Sequence, residues 1–142
     1  MTAAPAPVVV AYDGSDESRG ALLWALTESA PEQPLMPVAV LGHQPSPLPL
    51  VDRVPHAPDE ADRVARRIVS RWDEDGLALR DVAELRIERG HPAQVLARIA
   101  EEEGAELIVI GHHRGRRVGA LRASVAEDLL RLAPCPVAVV VG

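Results

Sequence analysis

The sequence contains no lysine, no asparagine and no phenylalanine, and all fifteen of its basic side chains are arginine. Such uniformity reads first as a compositional bias of the coding genome. The missing lysine still excludes one class of chemistry, because a Walker-type phosphate loop needs a lysine to reach the β- and γ-phosphates. Cysteine is almost as scarce. Cys135 stands alone between Pro134 and Pro136, which rules out an intrachain disulfide and a cysteine metal cluster and leaves a buried structural thiol as its expected role. No apolar run approaches the roughly 18 residues of a membrane helix, and Met1 to Pro7 lacks the basic flank and apolar core of a signal peptide. A cytoplasmic protein with no membrane partner is therefore expected.

What is present fits one ordinary folding unit. The chain has 142 residues, 47% of them hydrophobic and 25% charged, which suits a single domain over residues 1–142 with one sizeable core. The net charge of −6 opposes nonspecific binding to nucleic acid or to anionic membranes, both of which need a broad positive field. Charge is nevertheless segregated. Residues 112–124 hold Arg114, Arg116, Arg117 and Arg122 with no acid, while the other eleven arginines face all 21 carboxylates.

Five short runs rich in β-branched residues predict strands: Val8 to Tyr12, Met36 to Leu41, Val82 to Glu88, Glu106 to Ile110 and Pro136 to Val141. Most are nearly continuous in apolar residues, as strands covered on both faces are. The third alternates apolar and polar, which places it at a sheet edge. Four helical patterns separate them. The first runs from Asp16 to Ala30, with Pro31 as its stop, and the second carries Ala61, Val64, Ala65, Ile68 and Trp72 on one stripe, with Gly76 as a left-handed exit. The third opens at Pro92 and ends at Gly104, and the fourth starts at Ser124, where Ser124 and Glu127 have the spacing of a capping box. Strict alternation of strand and helix means right-handed crossovers and an α/β fold of three layers, a doubly wound open sheet of five parallel strands.

In such sheets ligands are held by the loops that follow the strands, near the point where strand order reverses. That rule selects Asp13 to Asp16, Gly42 and His43, Gly90 and His91, and Gly111 to Ser124. The segment from Gln44 to Pro58 carries five prolines and reads as a loop over this same edge, either an ordinary surface loop or a cover.

Several stretches resemble the universal stress protein family. They are Val9-Val10-Ala11-Tyr12-Asp13-Gly14-Ser15 with Ser18 and Ala21-Leu22, then Gly90-His91-Pro92-Ala93-Gln94-Val95-Leu96, Leu107-Ile108-Val109-Ile110-Gly111-His112, and Ala133-Pro134-Cys135-Pro136-Val137. The resemblance spans nearly the whole chain. It implies an adenine nucleotide alpha hydrolase-like sheet of order 3-2-1-4-5, often a homodimer built through the last strand, and in one branch ATP at the carboxyl edge. That branch carries Gly-x2-Gly-x9-Gly followed by Ser or Thr after the fourth strand. Counting from Gly111, this chain has Arg114, Ser124 and Val125 at those places. A one-residue deletion aligns Gly115 with the second glycine and Ser124 with the serine, and Ala123 still replaces the last glycine.

The candidate nucleotide residues are thus Asp13, Gly111, His112, Arg114, Gly115, Ser124 and Val125. Asp13 has two readings: contact with the adenine-ribose end, as the resemblance implies, or turn chemistry typical of an Asp-Gly pair at a strand end. Ser124 reads as a helix cap or as a phosphate ligand. The arginines read as a solvated loop, as partners for acids on a dimer mate, or as phosphate contacts. His43, His91, His112 and His113 gather on one edge in sequence logic, yet no close ligand pair supports zinc, so no metal is expected and they read as polar or pH-sensitive edge residues. Ser15 beside His43 or His112 imitates a nucleophile and base, but no catalytic motif accompanies it.

The expected function is a stress-response regulator that acts as a homodimer by binding, not by turnover, and is not an enzyme. The apolar strand Pro136 to Val141 at one end of the order supplies the pairing edge. Two versions stay open, one holding ATP or another adenine nucleotide and one serving only as a dimerising module for an unknown protein partner; the damaged glycine pattern leans to the second. Adenylyl transfer or slow ATP hydrolysis is the alternative from a different class, resting on fold analogy alone.

Overall fold

A computed structural model describes residues 5–41, 59–78, 84–112 and 119–141, with side chains at 59–62, 76–78 and 119–124 outside the description. The strands are β1 (Val8–Ala11), β2 (Leu35–Leu41), β3 (Arg86–Arg89), β4 (Leu107–His112) and β5 (Val137–Val141). The helices are α1 (Asp16–Glu28), α2 (Asp59–Ala78), α3 (Pro92–Glu103) and α4 (Gly119–Leu132). All neighbouring strands pair in parallel, in the order β3-β2-β1-β4-β5. This is the expected sheet, and β3 lies at the expected edge.

Period-two alternation sends successive side chains of each strand to opposite layers. Val8, Val10 and Tyr12 face Ala21, Leu22 and Ala25 of α1 and Ile68 of α2. Val9, Val38, Ile108 and Ile110 face Val95, Leu96 and Ile99 of α3 and Leu129 of α4. Both faces are covered by helices, which fits inner strands that carry almost no polar residue. The chain first builds outward from β1 through β2 to β3, then returns so that β4 pairs with the free side of β1. The reversal opens a crevice between the carboxyl ends of β1 and β4.

Local sequence explains most of the boundaries. Ser15 caps α1, its Oγ accepting the Ser18 N–H at 3.2 Å, while the Ser18 hydroxyl donates back to the Ser15 carbonyl at 3.0 Å. Helix α1 stops at Glu28, before Pro31, because Ser29 is already extended with its N–H on the Ala25 carbonyl. Pro92 opens α3, and Gly104 closes it in the left-handed region at φ 63°, its N–H directed to Ala100 and Glu101.

Three expectations are corrected. Helix α4 starts at Gly119, so Ser124 is an interior residue and the capping box does not form there; Ala120, Leu121, Arg122 and Ala123 are strong helix formers and extend the helix N-terminally. Helix α2 continues past Gly76 to Ala78, which removes the left-handed exit. Strand β3 begins at Arg86, since its partners on β2 are Val38 to Leu41, and Glu84 and Leu85 precede it without pairing. The proposed cover at 44–58, and Val82, lie outside the described residues. Among the described residues no helix is long and apolar enough to cross a membrane.

Candidate functional site

A cleft of about 230 Å³ opens at the crevice between β1 and β4. Its floor is made by Ala11, Val38, Val40 and Ile110 from three strands, and its side walls by Pro92 and Leu96 of α3 and Val125 and Ala126 of α4. The polar groups sit at one rim: Asp13, Ser15, Glu17 and Ser18 from the β1–α1 turn and His112 from the end of β4. Apolar walls with a short polar rim fit a flat, largely apolar group carrying a polar substituent.

The turn that forms the rim is built by its own sequence. Asp13 Oδ1 accepts the Ser15 N–H at 2.9 Å, and the Asp13 N–H donates to Ser18 Oγ at 3.2 Å. Gly14 takes φ 81°, a region that L side chains rarely adopt, which is what allows the chain to reverse between strand and helix. Asp13 therefore performs turn chemistry with one oxygen while its side chain stays exposed at the mouth of the cleft. The two readings of this residue are compatible.

Gly111 has a different reason to be glycine from the one its motif suggests. A Cβ there would lie 2.2 Å from the Glu17 carbonyl oxygen and 2.5 Å from the carbonyl carbon. The first turn of α1 thus rests directly on the end of β4, and only a bare backbone fits beneath it. His112 and Val125 line the cleft. Ser124 is on α4 one residue before Val125, and Arg114 and Gly115 fall outside the described residues.

His91 occupies the N-cap position of α3 without a side-chain cap, and its Nε2 stands 3.9 Å from Asp128 of α4. Among the described residues no three His, Cys, Asp or Glu side chains group as a metal site. His43 and His113 are outside the description.

A buried polar cluster on the other face of the sheet escaped sequence reasoning. The Tyr12 hydroxyl donates to Asp75 Oδ2 at 2.6 Å, and Arg19 Nε lies 3.2 Å from Asp75 Oδ1. Trp72 meets the Tyr12 ring edge-on at a centroid distance of 5.2 Å. Burial, and then the bond to Asp75, push the Tyr12 hydroxyl well above the ordinary tyrosine range. A group whose pKa is raised by folding contributes stability that is complete below its unfolded pKa, near 10, and is lost as pH climbs beyond it. Tyr12 is the only tyrosine and the chain has no lysine, so this titration is isolated from all but Cys135, whose thiol burial also pushes up. Urea midpoints should fall as pH rises above about 10, and Tyr12→Phe should flatten that fall. Phenolate absorbance should show ionisation only as the protein unfolds.

The comparisons with known proteins agree with one another. The family model described as the universal stress protein family matches residues 6–141. No curated protein matches the chain significantly. Among solved structures, the universal stress protein UspA from Lactobacillus plantarum is 21% identical, with 98% of this chain and 99% of that one covered and a TM-score of 0.72. A universal stress protein solved in complex with cAMP is 23% identical over 97% and 98% of the two chains, with a TM-score of 0.57. A universal stress protein family member from Arabidopsis thaliana, solved with AMP bound, is 17% identical over 96% and 92%, with a TM-score of 0.64. With the sheet order, the motif stretches and a family match over nearly its full length, this chain belongs to the universal stress protein family and has its adenine nucleotide alpha hydrolase-like fold.

Proposed function

We propose that the chain is a cytoplasmic stress-response regulator that binds an adenine nucleotide in the β1–β4 cleft and acts by binding, not by turnover. The observation that carries this reading is the cleft itself: apolar floor and walls sized for a base, with Asp13, Ser15 and His112 at the rim where a ribose would emerge. The relatives solved with cAMP and with AMP support the same ligand class. The phosphates would take charge from the arginines that follow His112 in sequence, since guanidinium forks match phosphate oxygens. The broken glycine spacing after Gly111, with Arg114 and Ser124 at the glycine places in one register and Ala123 at the last in the other, favours a monophosphate over the longer ATP tail, which relies more on backbone N–H donors. Both hydroxyls in the β1–α1 turn are engaged in the cap of α1, which supports a binding role over nucleophilic chemistry.

Titration calorimetry with AMP, cAMP and ATP at fixed salt tests this, with saturable binding of AMP or cAMP as the expected result. No heat at millimolar nucleotide would overturn it and leave the dimerising module without nucleotide.

Dimerisation through β5 is part of the proposal. This strand is at the sheet edge, and Val139 and Val141 retain 40% and 48% of their surface. An apolar edge strand is an open template for another chain. Val139→Lys should convert a dimer to a monomer in sedimentation while moving the thermal midpoint little. A wild-type chain that sediments as a monomer would remove this element.

A further inference from the structure

We propose that Asp75 is a positioning residue for the cleft, holding the Asp13–Ser15 turn from the opposite face of the sheet through Tyr12 before the turn and Arg19 after it. This rests on the nucleotide reading of the cleft. Asp75 is buried on α2, 63 residues from Tyr12 in sequence, and each of its carboxylate oxygens has a partner on a different element. Oδ2 accepts from the hydroxyl of Tyr12, the residue that follows β1, and Oδ1 faces the guanidinium of Arg19 in the first turns of α1. The turn Asp13-Gly14-Ser15 and the first residues of α1, Asp16 to Ser18, are strung between these two anchors. Helix α2 also lies close to the turn: a Cβ on Gly14 would meet the Arg71 side chain at 3.4 Å.

Asp75 itself does not line the cleft, whereas Tyr12, which it holds, does. Asp75 belongs with the α1 and α2 layer around Tyr12 and Ile68, whereas the cleft is walled by α3 and α4. A side chain that neither meets the ligand nor shares its face can act on it only through the turn. Burial makes the anchor stiff, because a tyrosine hydroxyl and a carboxylate removed from water lose more by separating than exposed groups would. Trp72 packs on the Tyr12 ring and limits its rotation.

The test separates positioning from general stability. In the ligand-free protein, amide hydrogen exchange at Ser15 and Ser18 should quicken roughly tenfold in Tyr12→Phe and in Asp75→Ala, the scale of one charge-assisted hydrogen bond, with α3 amides unchanged. Asp75→Asn keeps an oxygen to accept from Tyr12 but turns an amide donor on Arg19, and should recover only part of the protection. AMP affinity should fall about as much as turn protection does, in the same rank order. Uniform acceleration across the chain, or no change at Ser15 and Ser18, would overturn the proposal. If Asp75→Ala does not fold, Tyr12→Phe, which preserves the ring, decides. A wild-type chain that binds no nucleotide defeats the ligand reading instead, and the exchange pattern, which needs no ligand, still decides whether Asp75 holds the turn.

Discussion

Gly111→Ala is expected to destabilise the protein by about 3 kcal/mol or more, at or beyond the upper end of what small-to-large changes in packed sites usually cost. The added Cβ would lie 2.2 Å and 2.5 Å from the Glu17 carbonyl oxygen and carbon and 3.0 Å from the Ser18 nitrogen. These are backbone atoms, so no rotamer change relieves the overlap. Nor can the turn retreat cheaply: Ser18 is tied to Ser15 in both directions and to the Asp13 N–H. Two other glycines make the comparison clean. Gly104→Ala meets open space but at φ 63°, and should cost about 1 kcal/mol from the left-handed backbone alone. Gly20→Ala, inside α1 with nothing within 4 Å, should stabilise by up to about 1 kcal/mol through helix propensity. Urea unfolding of the three variants therefore should give a large loss, a small loss and a gain from one chemical change. If Gly111→Ala were no worse than Gly104→Ala, the close approach of α1 to β4 would be refuted.

The contrast shows what the sequence could and could not disclose. The strands were legible because Val8 to Val10, Val38 to Val40 and Leu107 to Ile110 must be apolar on both faces, and that requirement is written residue by residue. The edge position of β3 was legible for the complementary reason, its alternation of apolar and polar residues, although Ile87 is exposed and Arg86 and Glu88 are half-buried. Helix ends were less so. Ser124 has the residue type and spacing of a cap, yet the helix formers before it carry α4 five residues further upstream. Gly111 was located through its motif, but its purpose lay in an approach between Glu17 and β4 that no local pattern encodes. The same holds for Asp75, which in sequence is one acid among many on a charged helix and acquires meaning only when folding brings it to Tyr12. Cleft walls such as Val38, Leu96 and Ala126 carry no signal of their own in the sequence because, chemically, a site for a flat apolar ring and a core position ask for the same side chains.

That shared chemistry gives the most direct test of where the ligand sits. Ala126 is a half-buried residue of α4 on the wall of the cleft. Ala126→Trp would place an indole in a space of about 230 Å³ whose floor is Ala11, Val38, Val40 and Ile110. The walls are apolar, so the ring should be accepted as a ligand mimic, and burying it against Val38 and Leu96 adds favourable contact. Nucleotide should then be excluded, with AMP affinity falling at least about a hundredfold, or roughly 2.7 kcal/mol, while the thermal midpoint holds or rises. Leu130→Trp is the matched control: it lies on the same helix, keeps 66% of its surface exposed and does not line the cleft. It should bind AMP as the wild type does. The pair distinguishes a blocked site from a damaged fold, because a damaged fold would lower stability along with affinity. Undiminished AMP binding by Ala126→Trp would move the nucleotide out of this cleft and would leave the β1–β4 crevice as architecture without a ligand.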